Sequence, residues 1–560
     1  MRLSALASSA GLTLERAVDR SEAIPTNHFC NNYIQNSYLP ECLKAATTPR
    51  ARPARPLASL QLVGMERPFR LVVPRQEPRG THPRGRSSTL SRVTARRPAL
   101  LLLCVLAVSL QLGCATKVRE LMPTPVSFHL PTARTIFAQV PSERRTDHID
   151  LLYITDRAPD TGDDAELPYG EERARTTRFG SADVLLRPSM TWDELRRYSL
   201  ADPRDRRIGM ELGAVDELGG YPEGPYRIER TGTGTRRDPV VMDAHRRADA
   251  ALQAEVQRRL ALAPTKEVVL YVHGFNETFA TAAFTAAELC HFFGRAHVCA
   301  FFTWPASSTG NPLISFTSTT ESATYSIGHL KRTIRTLART PGVEGIHLLA
   351  HSRGGALLLN AVRELSIEAI AAGDNPSETM KLKHLVLMSP DIDAQVASAQ
   401  LEIFASDPDL TTRWRSADLP KFLSGRLTIY ASPKDRALLL SKLLFRSRER
   451  VGELTPDDIS KTTQDYFATL GNVDIIVFEG KRTDFFGHSY FTSNPQVSAD
   501  LIEMIRNGTL PGAPQRPLVR SGKITWEFPV NAAGPERHQA AHHSANLGPT
   551  RTLLAGDRSP

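Results

Sequence analysis

At 560 residues, with 41% hydrophobic and 23% charged residues, the chain is long enough to bury a large core and has the composition of a globular protein. A formal net charge of +9 would point to nucleic acid or an anionic surface, but 14 of the 69 basic and 6 of the 60 acidic residues fall in residues 1–92, leaving 55 against 54 elsewhere. The body of the chain is close to neutral, and no nucleic-acid partner is expected.

Residues 1–92 mix arginine, proline and serine, as in 49–56 and 78–84, with no hydrophobic period, and are expected to be disordered. Arg96-Arg97 then precedes an apolar run, 99–112, and Gly113-Cys114-Ala115-Thr116. The run is short for a membrane span and right for a signal peptide. With a charged head and a small residue before Cys114, residues 93–114 read as a bacterial lipoprotein signal, cleaved and lipidated at Cys114. Leu112-Gly113-Cys114 fits that pattern and Gln111 departs from it; a short membrane anchor is the alternative. Secretion reads N-termini, so translation is expected to begin near Met65 or Val93. The expected location is the bacterial envelope, lipid-anchored and facing the periplasm or the outer surface.

Residues 115–147 are expected to be a linker. The runs 149–155 and 182–187 read as strands, and 190–200 and 243–262 as helices. From Lys266 the pattern is regular: apolar runs at 267–272, 298–304, 345–350, 382–388, 426–431 and 473–478 alternate with amphipathic segments, which predicts a mostly parallel, doubly wound α/β sheet in a domain spanning 148–508. A last helix is expected at 496–506 and an edge strand at 523–528, within a mostly flexible extension, 509–560, whose His538, His542 and His543 read as solvated. The cysteines, Cys30, Cys42, Cys104, Cys114, Cys290 and Cys299, show no zinc-ligand spacing. Cys290 and Cys299 lie in apolar runs and are read as core residues in preference to a disulfide.

The chemistry centres on Ser352. Ile346-His347-Leu348-Leu349-Ala350 runs as a buried strand into Ser352, and a helix starts at once at Gly354. A serine between small residues at such a turn is the nucleophile elbow of alpha/beta hydrolases, with Ala350 in place of the usual first glycine; the competing reading is a serine helix cap. Upstream, Tyr271-Val272-His273-Gly274-Phe275-Asn276 ends an earlier strand, where the backbone N–H of Phe275 can join that of Arg353 as an oxyanion hole, His273 being structural. Downstream, Asp435 in Tyr430-Ala431-Ser432-Pro433-Lys434-Asp435 is the expected acid, with Asp391 in Ser389-Pro390-Asp391-Ile392-Asp393 as the alternative. His488, in Asp484-Phe485-Phe486-Gly487-His488-Ser489-Tyr490, is the expected base; His347 and His384 lie within strands, and His351 should point away.

Taken together, His-Gly-Phe-Asn at 273–276, Ala-His-Ser-Arg-Gly at 350–354, Ser-Pro-Asp-Ile-Asp at 389–393, the segment ending in Asp435, and Gly-His-Ser-Tyr at 487–490 resemble an esterase- or lipase-like bacterial alpha/beta-hydrolase family of unknown activity, over about residues 148–508. The resemblance implies the fold, a Ser-His-Asp triad and a frequent lipoprotein signal, without naming a substrate. Arg353 departs from the uncharged residue, such as Met, usual there; it either contacts an anionic substrate group or projects into solvent.

The expected function is hydrolysis of carboxylic esters through an acyl-enzyme, on a small or lipid-like substrate, with no metal or organic cofactor. Insertions at 394–425 and 436–472, with Phe404, Trp414, Phe422, Leu443, Leu444 and Phe445, are expected either to cap the acyl pocket or to complete the core. The competing functions are the same triad acting on amides or thioesters, and a catalytically silent scaffold.

Overall fold

The computed structural model describes residues 119–529 apart from 131–133, 163–166, 307–311, 412–417 and 447–448. The expected leader, the signal and lipidation site at Cys114, Trp414 and the tail histidines lie outside the described residues.

The strands are β1 (His148–Pro159), β2 (Tyr169–Arg187), β3 (Gly209–Gly220), β4 (Ile228–Thr231), β5 (Gly234–Arg237), β6 (Glu267–Val272), β7 (Val298–Thr303), β8 (Gly345–His351), β9 (Leu382–Met388), β10 (Leu427–Ala431), β11 (Val473–Val477), β12 (Val519–Arg520) and β13 (Thr525–Glu527). Eleven of them form one sheet in the order β12-β13-β11-β10-β9-β8-β6-β7-β1-β2-β3, while β4 and β5 make a separate hairpin. From β13 to β1 every neighbouring pair is parallel; β2, β3 and β12 bring antiparallel pairing to the two edges.

Helices cover both faces, which is why the central strands are continuous apolar runs rather than alternating ones. On one face Leu270, Leu348, Leu387 and Ile429 pack with residues of the helices Pro239–Leu262, Pro312–Arg339 and Arg353–Ala372. On the other, Tyr271, Leu349, Met388 and Tyr430 pack with the helices Phe279–Phe292 and Pro495–Asn507. The doubly wound α/β class read from the sequence is the fold observed.

Several local expectations are corrected. The stretch read as a linker contributes Leu121, Met122, Phe128 and Phe137 to the second core. β2 begins at Tyr169, far ahead of the expected 182, and β3 was not anticipated. The strand expected at 523–528 is present as β13, but β12 pairs outside it, so it is not the edge. Cys290 and Cys299 are joined by a disulfide. Between them the chain reverses through Gly294 and Arg295, both at positive φ, which carries the end of a helix back onto the second residue of β7.

The helix Pro495–Asn507 follows the loop containing His488 and is held from below by a buried ion pair. Arg516 donates through Nε and Nη2 to the two carboxylate oxygens of Asp500 at 2.8 and 2.9 Å, and Tyr430 Oη donates to the same carboxylate at 2.6 Å. Removing one partner leaves a charge buried alone. Arg516→Met should therefore cost about 3–5 kcal/mol in urea unfolding, and Arg516→Met with Asp500→Leu should recover part of the loss. A single-variant cost below about 1 kcal/mol, the range of an exposed pair, would contradict this account.

Candidate functional site

β8 ends at His351, and Ser352 turns the chain into its helix with φ 53° and ψ −126°. Left-handed φ at a non-glycine residue is strained and persists only where the surroundings fix it. A Cβ on Gly354 would lie 2.2 Å from the carbonyl oxygen of His273 and 2.8 Å from that of Val272, and one on Gly274 would lie 2.8 Å from Ser352 Cβ. Gly354 and Gly274 are thus steric requirements. Ser352 makes no side-chain cap hydrogen bond to its helix, so the cap reading fails.

The loop after β6 stands directly against this turn. His273 is fully buried and stacks on Trp304, with ring centroids 5.4 Å apart. Its Nε2 accepts the Trp304 N–H at 3.1 Å, so the proton resides on Nδ1, which donates to the Gly274 carbonyl at 2.9 Å. Burial, then the nearby Arg157 guanidinium, holds its pKa well below the usual histidine value. His273 is a neutral strut, as expected. Among the described residues the backbone N–H groups of Phe275 and Arg353 have no acceptor, which leaves both available to a bound oxyanion.

Asp435 and His488 meet across two loops. Nδ1 of His488 and Oδ2 of Asp435 are 2.6 Å apart, with the carboxylate side chain completely buried. Asp435 Oδ1 accepts from the amides of Ala437 and Leu438, capping the helix Arg436–Phe445, so the cap reading holds while the other oxygen faces His488. Burial pulls the His488 pKa down; the charge and hydrogen bond of Asp435, helped by the charges of Asp391 and Asp484, outweigh it, and the net shift is upward. Asp484 also shapes this loop by accepting the amides of Gly487, His488 and Ser489 at 2.5, 3.2 and 3.0 Å. Sequence reasoning gave Asp484 no role, although an aspartate just ahead of a glycine is a recurrent turn signal. His351 does not point away: its ring lies 4.7 Å from that of His488, underneath the base loop.

The alternative acid Asp391 is placed elsewhere. Its Oδ2 pairs with Arg353 Nη2 at 2.9 Å, and its Oδ1 accepts from Ser441 Oγ at 2.6 Å and lies 3.5 Å from Arg450 Nε. The Arg353 side chain therefore does not project into solvent. It is buried between the rings of Phe316 and Phe445, 4.9 and 5.0 Å from their centroids. Beside it opens a cavity of about 400 Å³ lined by Ile327, Arg353, Ile392, Val396, Phe445 and Arg450, among others. The insertions thus divide: Val396 and Phe445 wall this cavity, whereas Phe404 is buried against Phe422.

Among the described residues, Glu267, His297 and His347 could hold a metal ion, with ligand atoms within 4.8 Å of one another. They lie at or near the starts of β6, β7 and β8, the opposite strand ends from Ser352, and Glu267 already accepts from His347 at 2.7 Å and pairs with Lys383.

Residues 248–506 match the model of a family described as "Alpha/beta hydrolase of unknown function (DUF900)". A comparison with curated proteins gives no match. Among solved structures, the chain is similar to an esterase from Pyrobaculum calidifontis (12% identity, 44% of this chain and 78% of that one, TM-score 0.23). It is also similar to esterase B from Lactobacillus rhamnosis (11%, 62% and 80%, TM-score 0.20) and to Est1E from Butyrivibrio proteoclasticus bound to ferulic acid (11%, 43% and 91%, TM-score 0.23). At such identities and TM-scores no function is transferred. Residues 248–506, with the strand ends that carry Ser352, Asp435 and His488, have the alpha/beta-hydrolase fold and are similar to this family of unknown function.

Proposed function

We propose that the protein is a serine hydrolase of carboxylic esters, with Ser352 as nucleophile, His488 as general base and Asp435 as the acid that orients it. The observation that carries this reading is the 2.6 Å contact of His488 Nδ1 with a buried Asp435, on the same sheet end as a serine held at positive φ. In the reaction, His488 Nε2 takes the Ser352 hydroxyl proton as Oγ attacks the ester carbonyl, and the Phe275 and Arg353 amides receive the developing oxyanion. Collapse expels the alcohol, which takes the proton from His488, and water then cleaves the acyl-enzyme by the same route in reverse. The cavity beside Arg353 is the natural place for the acyl chain, because it opens next to the nucleophile's helix and has apolar walls.

The envelope location and the anchor at Cys114 belong to the same proposal. The Cys290–Cys299 disulfide supports them, since such bonds persist in oxidising compartments. Among the described residues no helix is long and apolar enough to cross a membrane.

A fluorophosphonate probe should label the wild type and leave Ser352→Ala unlabelled; a folded wild type that takes no label would favour the silent scaffold. On p-nitrophenyl esters of graded chain length, Asp435→Asn should lower kcat by about 10³–10⁴-fold. His488 must be neutral to accept a proton, so its raised pKa places the acid limb of the kcat/KM profile above the ordinary histidine value of about 6.5, and Asp435→Asn should move that limb down. An acid limb near pH ~4, where carboxylates titrate, would contradict the assignment of the base.

A further inference from the structure

Four large apolar side chains stand in solvent around the base. Phe485 is 79% exposed and Phe486 52%, in the loop directly before His488; Leu443 is 77% exposed and Leu439 56%, on the helix that begins after Asp435. Leu439 and Leu443 are four residues apart, so they share one helical face, and Arg436 three residues earlier continues that stripe. The loop and the helix are joined where the Arg436 amide donates to the Phe486 carbonyl at 2.8 Å. The four side chains therefore belong to one surface. Scattered single apolar residues need no explanation, but an adjoining pair of exposed phenylalanines, beside a second apolar stripe, does.

The charged groups around this surface are mainly basic. Lys434, Arg436, Arg446, Lys481 and Arg482 are exposed on the same two segments, and Gly487 packs against the Arg482 stem. The acids are fewer and several are engaged: Asp484 is held by three loop amides, Asp435 is buried, and Glu453 pairs with Lys442, which leaves Glu479 and Glu449 exposed.

We propose that this surface docks onto a bilayer containing anionic phospholipid, with Phe485, Phe486, Leu439 and Leu443 entering the headgroup boundary and the flanking lysines and arginines lying at the phosphate level. Large exposed rings with a basic fringe suit an interface that is apolar below and anionic above. Such docking differs from an anchor at Cys114, which would tether the chain without orienting this face.

The test is amide hydrogen exchange of the full-length protein, read by mass spectrometry on the segments 436–446 and 481–487. It is run without vesicles, with phosphatidylcholine vesicles, and with equimolar phosphatidylcholine and phosphatidylglycerol vesicles. Both segments should exchange roughly tenfold more slowly on the anionic vesicles, and less slowly on phosphatidylcholine alone. Phe485→Ser with Phe486→Ser should lose that protection while keeping its unfolding midpoint, which shows the variant is folded. Three outcomes overturn the proposal: protein that binds vesicles with neither segment protected, protection that survives in the double variant, or equal protection on neutral and anionic vesicles. Because exchange is read locally, a tether elsewhere in the chain cannot mimic the result, and loss of esterase activity would leave it intact.

Discussion

Two neighbouring strands, β6 and β8, end in turns that press backbone against backbone, and the rest of the site depends on that approach. The carbonyls of Val272 and His273 occupy the space where a side chain at position 354 would go, while Gly274 leaves room for Ser352. Strain at Ser352 is tolerated because both elements are buried and in fixed register, with Val272 opposite Ala350. β7 is tied into the same construction, since the neutral His273 ring bridges its own loop to the Trp304 backbone. Ser352 and the two candidate oxyanion donors are thus positioned by main-chain packing, with little left to side-chain freedom.

The base side follows a different logic. Asp435 divides its oxygens between a helix and an imidazole, and Asp484 gathers three successive amides, so the loop with His488 is held by carboxylates rather than by apolar packing. Hydrogen bonds to charged acceptors are directional and strong when shielded from water. They allow an exposed loop to present a well-placed ring even though Phe485 and Phe486 next to it find no core to enter.

Much of this was legible in the sequence because the central strands are buried on both faces. Runs such as 267–272 and 345–350 can only be core, and each candidate site residue follows such a run. The unread parts lack that signature. β3 alternates weakly and is mostly exposed, and β2 carries charged residues through its first half, so neither shows a clean period. The Cys290–Cys299 bond was missed because its proximity is made by the reversal at Gly294 and Arg295, and positive φ at an arginine cannot be read from residue type. Arg353 was misread for a related reason. Its partner Asp391 and the rings of Phe316 and Phe445 are remote in sequence, and only the folded chain brings them to one guanidinium.

That cluster carries a consequence for how the sequence can drift. Asp391, Arg353 and Arg450 are all buried, and a lone exchange of Arg353 for a neutral residue would take from Asp391 its nearer guanidinium, leaving it only Arg450 at 3.5 Å and the Ser441 hydroxyl. Positions 353, 391 and 450 should therefore behave as a single inherited unit: descendants that keep one charge will keep its partners, and those that lose one will show a compensating change nearby. The arginine beside Ser352 would then mark a lineage, readable from three letters far apart in the chain.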